Sequence, residues 1–534
     1  MFRPTLGVSS TQFRLCAIAF VISLWGPTSH VAAQADDSED EEIDKEVDDS
    51  AKAISPAGSP SPRPEKTAIP PPPPAAPPSP FVFILHGLVS TSLFAQDVPS
   101  VGYGTALTFG PFEVATDKWF LGGDIRQTRV TLSIRGPEVL AGGTPTGVVE
   151  MDIGGYNYQI TPVGGLSAVV GTNARGAMGE PMAPVAIPYN VVTNEPRSDE
   201  NLVPRVRLAY LEVNWGASQN VLRVGQYHNL LLSMIAGSAS HTNTPIGYGA
   251  GQLGWRSPGV TYIHRFRLSL DSSIDIGLQA QKNSWRDELP TCAPQQMSPA
   301  ANCQPLGVSH AEASMLPQVQ ARIMAFGGMA TEPLPFYLPM KWLAYVAGSW
   351  DRKDMTGVGS ATLPPAAPGS PVLRDTMETW AVQGGLKTQL GPLLLAANGW
   401  YGLNSGSLFG NMFQMQDLSG PDVHGFGAWG QIGLGLFKHV SVWGFAGIDR
   451  PNEAEAIRAA PYFRVSNTTR LQNVQIVGQI AYTEGPIMLA VEWMYVATKN
   501  YIPAVMPTGT MPGRSAGWVT LAAHQPSITL NYNF

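Results

Sequence analysis

The residues whose chemistry is easiest to name are a serine flanked by glycines. Gly513-Arg514-Ser515-Ala516-Gly517 matches G-x-S-x-G, the turn that presents a nucleophilic serine in many hydrolases. Such a turn needs a strand before the serine and a helix after it. Here a Pro/Gly-rich loop precedes Ser515 and a strand-like alternation follows, so the match reads as chance in a chain with 56 glycines. His86-Gly87 has the look of an oxyanion loop but sits inside an alternating segment. There is no H-E-x-x-H and no phosphate-binding loop, and the nine histidines lack ligand spacing. The expectation is no enzyme, no metal and no cofactor. Cys292 and Cys303, ten residues apart in a Pro/Gln/Ser-rich stretch, are expected to form a disulfide in an exported chain.

A second kind of chemistry recurs along the whole chain. Arg129, Arg205, Arg207, Arg223, Arg265, Arg267, Arg322 and Lys387 fall on the polar faces of alternating segments, with Glu150, Asp152 and Glu492 on the same faces. Arg126 falls on the apolar parity of its segment, so its direction is left unassigned. Arg/Lys rings on the wall of a water-filled passage favour anions. The competing reading keeps these arginines as structural cations, paired with loops or solvated near a rim.

The elements that would position them are strands. Ile528, Leu530, Tyr532 and Phe534 alternate with Ser527, Thr529, Asn531 and Asn533. Val130, Leu132 and Ile134 alternate with Arg129, Thr131 and Ser133, and Val149, Met151 and Ile153 with Glu150 and Asp152. Val206, Leu208 and Tyr210 are expected opposite Arg205 and Arg207. Period-two patterning predicts sixteen strands. They run about 81–96, 118–135, 146–155, 204–215, 220–227, 256–270, 273–282, 316–328, 340–350, 376–389, 391–401, 425–436, 439–449, 470–483, 486–496 and 515–534. Long and short connections alternate, from Phe437-Lys438 and Glu484-Gly485 to 156–203 and 283–315. A soluble sandwich has no reason to do this, whereas an outer-membrane barrel has short periplasmic turns and long extracellular loops. Lipid also forbids open sheet edges, so the strands must close. Trp215, Trp342, Trp350, Trp400, Tyr401 and Trp443 lie near strand ends, where aromatic girdles are expected. The fold class is therefore all-β, a transmembrane antiparallel β-barrel of about sixteen strands over 81–534.

Composition agrees. Only 14% of the 534 residues are charged, below the roughly 25% of ordinary domains, and a net charge of −7 argues against a nucleic-acid binder. Outside one short N-terminal run, no apolar stretch reaches the ~18 residues of a spanning helix. Residues 1–35 read as a signal peptide: Arg3 and Arg14, the apolar run Leu15–Trp25, then Ala33-Gln34-Ala35 as cleavage site. Cys16 would leave with it. Residues 36–80 form an acidic, Pro-rich tail expected to be disordered and periplasmic, with eleven acids and four bases. Segment 81–534 keeps 27 bases and 29 acids, so the acidity belongs to the tail.

From Asp117 to Phe266 the chain resembles trimeric porins of Gram-negative outer membranes, particularly the DcaP-like type. The likeness is carried by Asp124-Ile-Arg-Gln-Thr-Arg129, Gly147-Val-Val-Glu-Met-Asp152, Pro204-Arg-Val-Arg-Leu-Ala-Tyr210 and Leu222-Arg-Val-Gly-Gln226. Tyr532 and Phe534, in the terminal Asn531-Tyr-Asn-Phe534, resemble the signal read by the outer-membrane assembly machinery. DcaP-like porins carry a coiled-coil N-terminal extension, and this chain has its acidic Pro-rich tail instead. The resemblance implies an outer-membrane homotrimer in contact with lipid, each barrel a channel for passive diffusion of small hydrophilic solutes. It also implies a third long loop folded inward, here 228–252. General porins place carboxylates in that loop, and this one has none; it offers His228 and His241. With the arginines, this gives an expectation of weak anion preference. The competing class is a receptor or adhesin acting through the long loops 156–203 and 283–315.

Overall fold

The structure is a computed structural model that describes residues 81–98, 119–139, 141–156, 202–242, 245–283, 288–290, 305–355, 374–416, 420–462, 469–503 and 516–534. The first strands are β1 (Val82–Gln96), β2 (Phe120–Asp124), β3 (Arg129–Arg135), β4 (Thr144–Tyr156), β5 (Leu202–Trp215) and β6 (Asn220–His228). After β7 (Arg256–Arg267) and β8 (Ser272–Gln281), a small separate hairpin is formed by β9 (Glu288–Pro290) and β10 (Pro305–Ser309). The wall resumes with β11 (Gln318–Met329), β12 (Met340–Asp354), β13 (Thr376–Leu390), β14 (Leu393–Leu403) and β15 (His424–Phe437). It ends with β16 (Val440–Pro451), β17 (Thr469–Glu484), β18 (Ile487–Ile502) and β19 (Gly517–Asn533).

Each wall strand pairs antiparallel with the next, β8 pairs with β11 across the small hairpin, and β1 pairs with β19. The sheet therefore closes into a sixteen-strand antiparallel barrel, with β2 and β3 the two halves of one stave. Strands of about 15 residues at ~3.4 Å each, tilted by about 45°, cover the ~25 Å apolar band of an outer membrane. Closure leaves no edge to satisfy in lipid. No helix among the described residues is long and apolar enough to cross a membrane. Both barrel ends meet on the short-turn side, where the Phe534 N–H donates to the Gly87 carbonyl (3.1 Å) and the Gly87 N–H donates to the Phe534 carbonyl (2.9 Å).

The outward faces are apolar and exposed: Val130, Leu132, Val149, Val346, Leu386, Ile432, Ile476, Ile528 and Leu530. Each such side chain left in water would forgo about 1.5–3 kcal/mol of burial. Inside, Arg129, Thr131, Glu150, Asp152, Gln279, Gln320, Gln383, Gln431 and Thr529 are buried.

Four sequence expectations are corrected. Segment 118–135 is two strands, because the chain turns at Ile125–Thr128, closed by the Thr128 N–H on the Ile125 carbonyl (3.0 Å). That break gives Arg126 its direction: its guanidinium clasps Asp124 Oδ1 (2.7 Å) and Oδ2 (2.9 Å) across the turn. Leu208 and Tyr210 do not face lipid with Val206. Glu150 pairs with Leu208 and Met151 with Val206, so Arg207 is the extra residue of a β-bulge and the parity flips after it. Both are buried on the inner side. Trp400 and Trp443 are not girdle residues either; they are 4% and 3% exposed and pack inside the barrel. The expected loop 228–252 runs from 229 to 255, between His228 and Arg256.

Candidate functional site

The loop between β6 and β7 folds into the barrel and is almost wholly buried along its described residues. Its composition permits this. It has no Asp or Glu, and its many Gly, Ala and Ser residues let the backbone come close to the wall. Gly237 sits where a Cβ would meet Phe336 at 2.1 Å. Gly251 adopts φ +104°, and a Cβ there would lie 2.4 Å from the Ala428 carbonyl, so only glycine fits.

A loop buried in this way must still satisfy its peptide groups. Inward amides on the wall do so. The Leu230 N–H donates to Gln279 Oε1 (3.0 Å), Gly237 to Gln431 (2.8 Å), Ala239 to Gln479 (2.8 Å), Gly247 to Gln475 (2.9 Å) and Leu253 to Gln383 (3.2 Å). In return, Gln431 donates to the Gly237 carbonyl (2.7 Å), Asn473 to Gly249 (2.8 Å) and Asn531 to Ala239 (3.2 Å). Between these bonds Leu231, Leu232, Met234, Ile246 and Leu253 pack with Tyr345, Trp400, Trp429, Phe445 and Met494. The turn at 330–339 inserts Leu334, Phe336 and Tyr337 into the same core. Lys387, an expected lumen cation, spends its ammonium on that turn's Leu338 and Met340 carbonyls.

The opposite wall, β3 to β8, carries charge. Arg207 Nε donates to Glu150 Oε1 (2.8 Å) and its Nη1 to Asp152 Oδ2 (3.0 Å). Arg205 grips Asp152 at 3.1 and 2.9 Å, and Arg129 lies 3.6 Å from Glu150. Two carboxylates thus serve three arginines. Arg223 is bound to Glu212 (2.8 Å) and sits 3.7 Å from the Tyr227 ring centroid, which seals it off. Arg265 pairs with Asp275 (2.8 Å) and Arg322 Nη1 donates to Ser233 (3.2 Å). Arg267 is exposed at the short-turn end, on Gln219 (3.1 Å).

Between the charged wall and the loop lies a cavity lined by Arg207, His228, Leu232, Ser238, His241, Tyr248, Trp255 and Arg256, among others. The structure thus brings Arg207, His228 and His241 together, and adds Arg256. Arg256 is 8% exposed, has no carboxylate within ion-pair distance among the described residues, and its Nη1 lacks a hydrogen-bond partner. Its guanidinium lies 4.3 Å from the Trp255 ring centroid. His241 turns Nδ1 to Glu492 Oε1 (2.9 Å), and Ser238 and Ser240 also donate to Glu492. Ser240 approaches the same Nδ1 (2.9 Å). A hydrolytic relay needs serine and carboxylate on opposite ring nitrogens, so this cluster is not one.

Comparison places this geometry. The outer membrane channel DcaP of Acinetobacter baumannii superposes with a TM-score of 0.53 at 14% identity, over 85% of this chain and 97% of that one. The fold is that of a DcaP-like outer-membrane porin. An anion-selective porin from Comamonas acidovorans matches at TM-score 0.44, with 9% identity over 85% of this chain and all of that one. OmpT of Vibrio cholerae matches at 0.42, with 9% identity over 85% and 98%. No protein-family model matches the chain, and no curated protein does. Within this porin fold, Tyr532 and Phe534 lie on the outer face at the short-turn end, their rings 6.4 Å apart. Cys292, Cys303, the signal peptide and the tail lie outside the described residues.

Sequence reasoning missed Arg256, Glu212 and the glutamine ladder. The available signal was the recurrence of Gln on inward parity, at Gln279, Gln320, Gln383, Gln431, Gln475 and Gln479.

Proposed function

We propose that the protein is a porin of a Gram-negative outer membrane, a homotrimer of channels for passive diffusion of small hydrophilic solutes, with a preference for anions. The carrying observation is Arg256: a buried guanidinium with no carboxylate within ion-pair distance among the described residues, facing the same cavity as Arg207, His228 and His241. A buried charge left unpaired is costly, so the cavity gains free energy when an anion enters it. The pore-lining roles of Arg129, Glu150, Asp152, Arg205 and Arg207 belong to this reading. Arg223, Arg265, Arg267 and Arg322 serve the wall. Arg223 and Arg265 are neutralised by their own carboxylates, Arg322 is turned to the Ser233 hydroxyl, and Arg267 lies at the rim.

The supporting experiment is liposome swelling with the purified protein. Swelling that depends on solute size, and is faster for small carboxylates than for amines of equal size, supports the reading. Absence of swelling, with loop-mediated binding to cells or phage instead, supports a receptor. Closure in three equal current steps checks the trimer.

A further inference from the structure

We propose that His241 is a specificity-determining residue whose ionisation sets how strongly the lumen prefers anions, and that Glu492 is the positioning residue that aims it. This rests on the anion-preferring channel reading above.

The geometry isolates one ring atom. Nδ1 is committed to Glu492, a carboxylate that only accepts, so Nδ1 carries the proton there. Nε2 is buried and has no hydrogen-bond partner among the described residues, while the imidazole lines the cavity with Arg207 and Arg256. In the neutral ring Nε2 presents a lone pair. In the imidazolium it presents an N–H donor and a unit of positive charge. One proton therefore changes both the charge and the hydrogen-bonding sense of the cavity wall.

The surrounding charges are few. Glu492 is flanked on its own strand by Ala490 and Met494, and faces Gln479 on β17 and Ser527 on β19, all uncharged. From the loop it meets Ser238, Ser240 and His241. Across the cavity stand Arg207 on β5, His228 on β6 and Arg256 on β7. Arg129 on β3 donates to the Thr242 carbonyl (2.8 Å), and Glu150 and Asp152 on β4 are engaged by Arg129, Arg205 and Arg207. Glu492 is thus the carboxylate that binds the His241 ring; opposite it, Arg207 has Glu150 and Asp152, and Arg256 has no carboxylate within ion-pair distance among the described residues.

The test is the reversal potential of the full-length protein in planar bilayers under a KCl gradient, from pH 8.5 to 4.5. The chloride-to-potassium permeability ratio is expected to rise about fivefold in one step as pH falls across this range. His241→Asn removes that step, and His228→Asn, the control for the second imidazole, keeps it. Glu492→Gln moves the step to lower pH, because the imidazolium loses its counter-charge. If His241→Asn fails to assemble, the Glu492→Gln shift carries the test. A flat wild-type profile, or a step that survives His241→Asn or vanishes in His228→Asn, overturns the proposal. A His241-dependent step in a cation-preferring channel supports the residue assignment and overturns only the anion reading.

Discussion

The two halves of the lumen wall solve different problems with different side chains. The half from β11 to β19 holds the inward loop mainly with neutral amides, Gln383, Gln431, Gln475 and Gln479, and with large apolar residues such as Trp429 and Phe445; Glu492 and Arg322 are its charged contacts with the loop. The half from β3 to β8 holds arginines and carboxylates, with the cavity against it. A buried peptide group needs one hydrogen bond and no charge, so amides suffice where a loop must be fixed. On the proposed reading, positioning falls mainly on the amide staves, and selectivity on the charged wall together with the His241–Glu492 pair.

The largest expected effect comes from unbalancing the charged half. Glu150→Ala removes the acceptor of Arg207 and the near charge of Arg129, leaving both guanidinia with Asp152 and Arg205 alone. We expect about 3–5 kcal/mol lower stability, read as a lower temperature of gel-shift unfolding in detergent. On the amide half, Gln431→Ala breaks both bonds to Gly237 and its contact with the Tyr337 hydroxyl. The expected loss is about 1–3 kcal/mol, with larger and noisier single-channel conductance as the loop loosens. An unchanged conductance would show that apolar packing alone holds the loop.

Much of this was legible in the sequence, for definite physical reasons. Ile528, Leu530 and Tyr532 had to alternate because in a closed barrel one face of each strand points outward and the other into the lumen, and the loop alternation follows from the two ends of a barrel. The bulge at Arg207 was not legible, because nothing in Val206-Arg207-Leu208 marks the residue at which parity flips. Trp400 and Trp443 were misplaced because a tryptophan beside a strand end suits a girdle or a core equally well until its neighbours are known. The ladder was hidden for a related reason. An inward glutamine looks the same whether it meets water or the backbone of a loop 200 residues away in sequence, as Gln431 and Gly237 nearly are. Arg256 opens the expected strand 256–270 on the parity of Phe266 and Leu268, so alternation would have turned it outward, whereas it is buried beside the cavity.

A smaller effect tests the region outside the wall. The loop carrying Asp422 is pinned by Arg374, whose Nη1 and Nη2 donate to the carboxylate at 2.9 and 2.8 Å. Partial burial pushes the carboxyl up, but the bonds from Arg374 and Asn404 and the Arg374 charge outweigh it, so the group lies below the usual carboxylate range. Its contribution is therefore present above the unfolded value of about 4 and is lost as pH falls through the lower folded one. About a third of this side chain is exposed, so the effect is below about 1 kcal/mol. Asp422→Asn should lower stability slightly at pH 7 and make this loop's proteolysis rate independent of pH below 4; an unchanged pH dependence would remove Asp422 from that role.

The separation of positioning from selectivity is tested most directly by the reversal potential of the unmodified channel in a tenfold KCl gradient at pH 7, compared with Arg256→Gln. The account predicts an anion-selective wild type and a clear shift toward zero in Arg256→Gln, with the loop still in place and conductance near the wild-type value. A cation-selective wild type, or a reversal potential indifferent to Arg256, would contradict it.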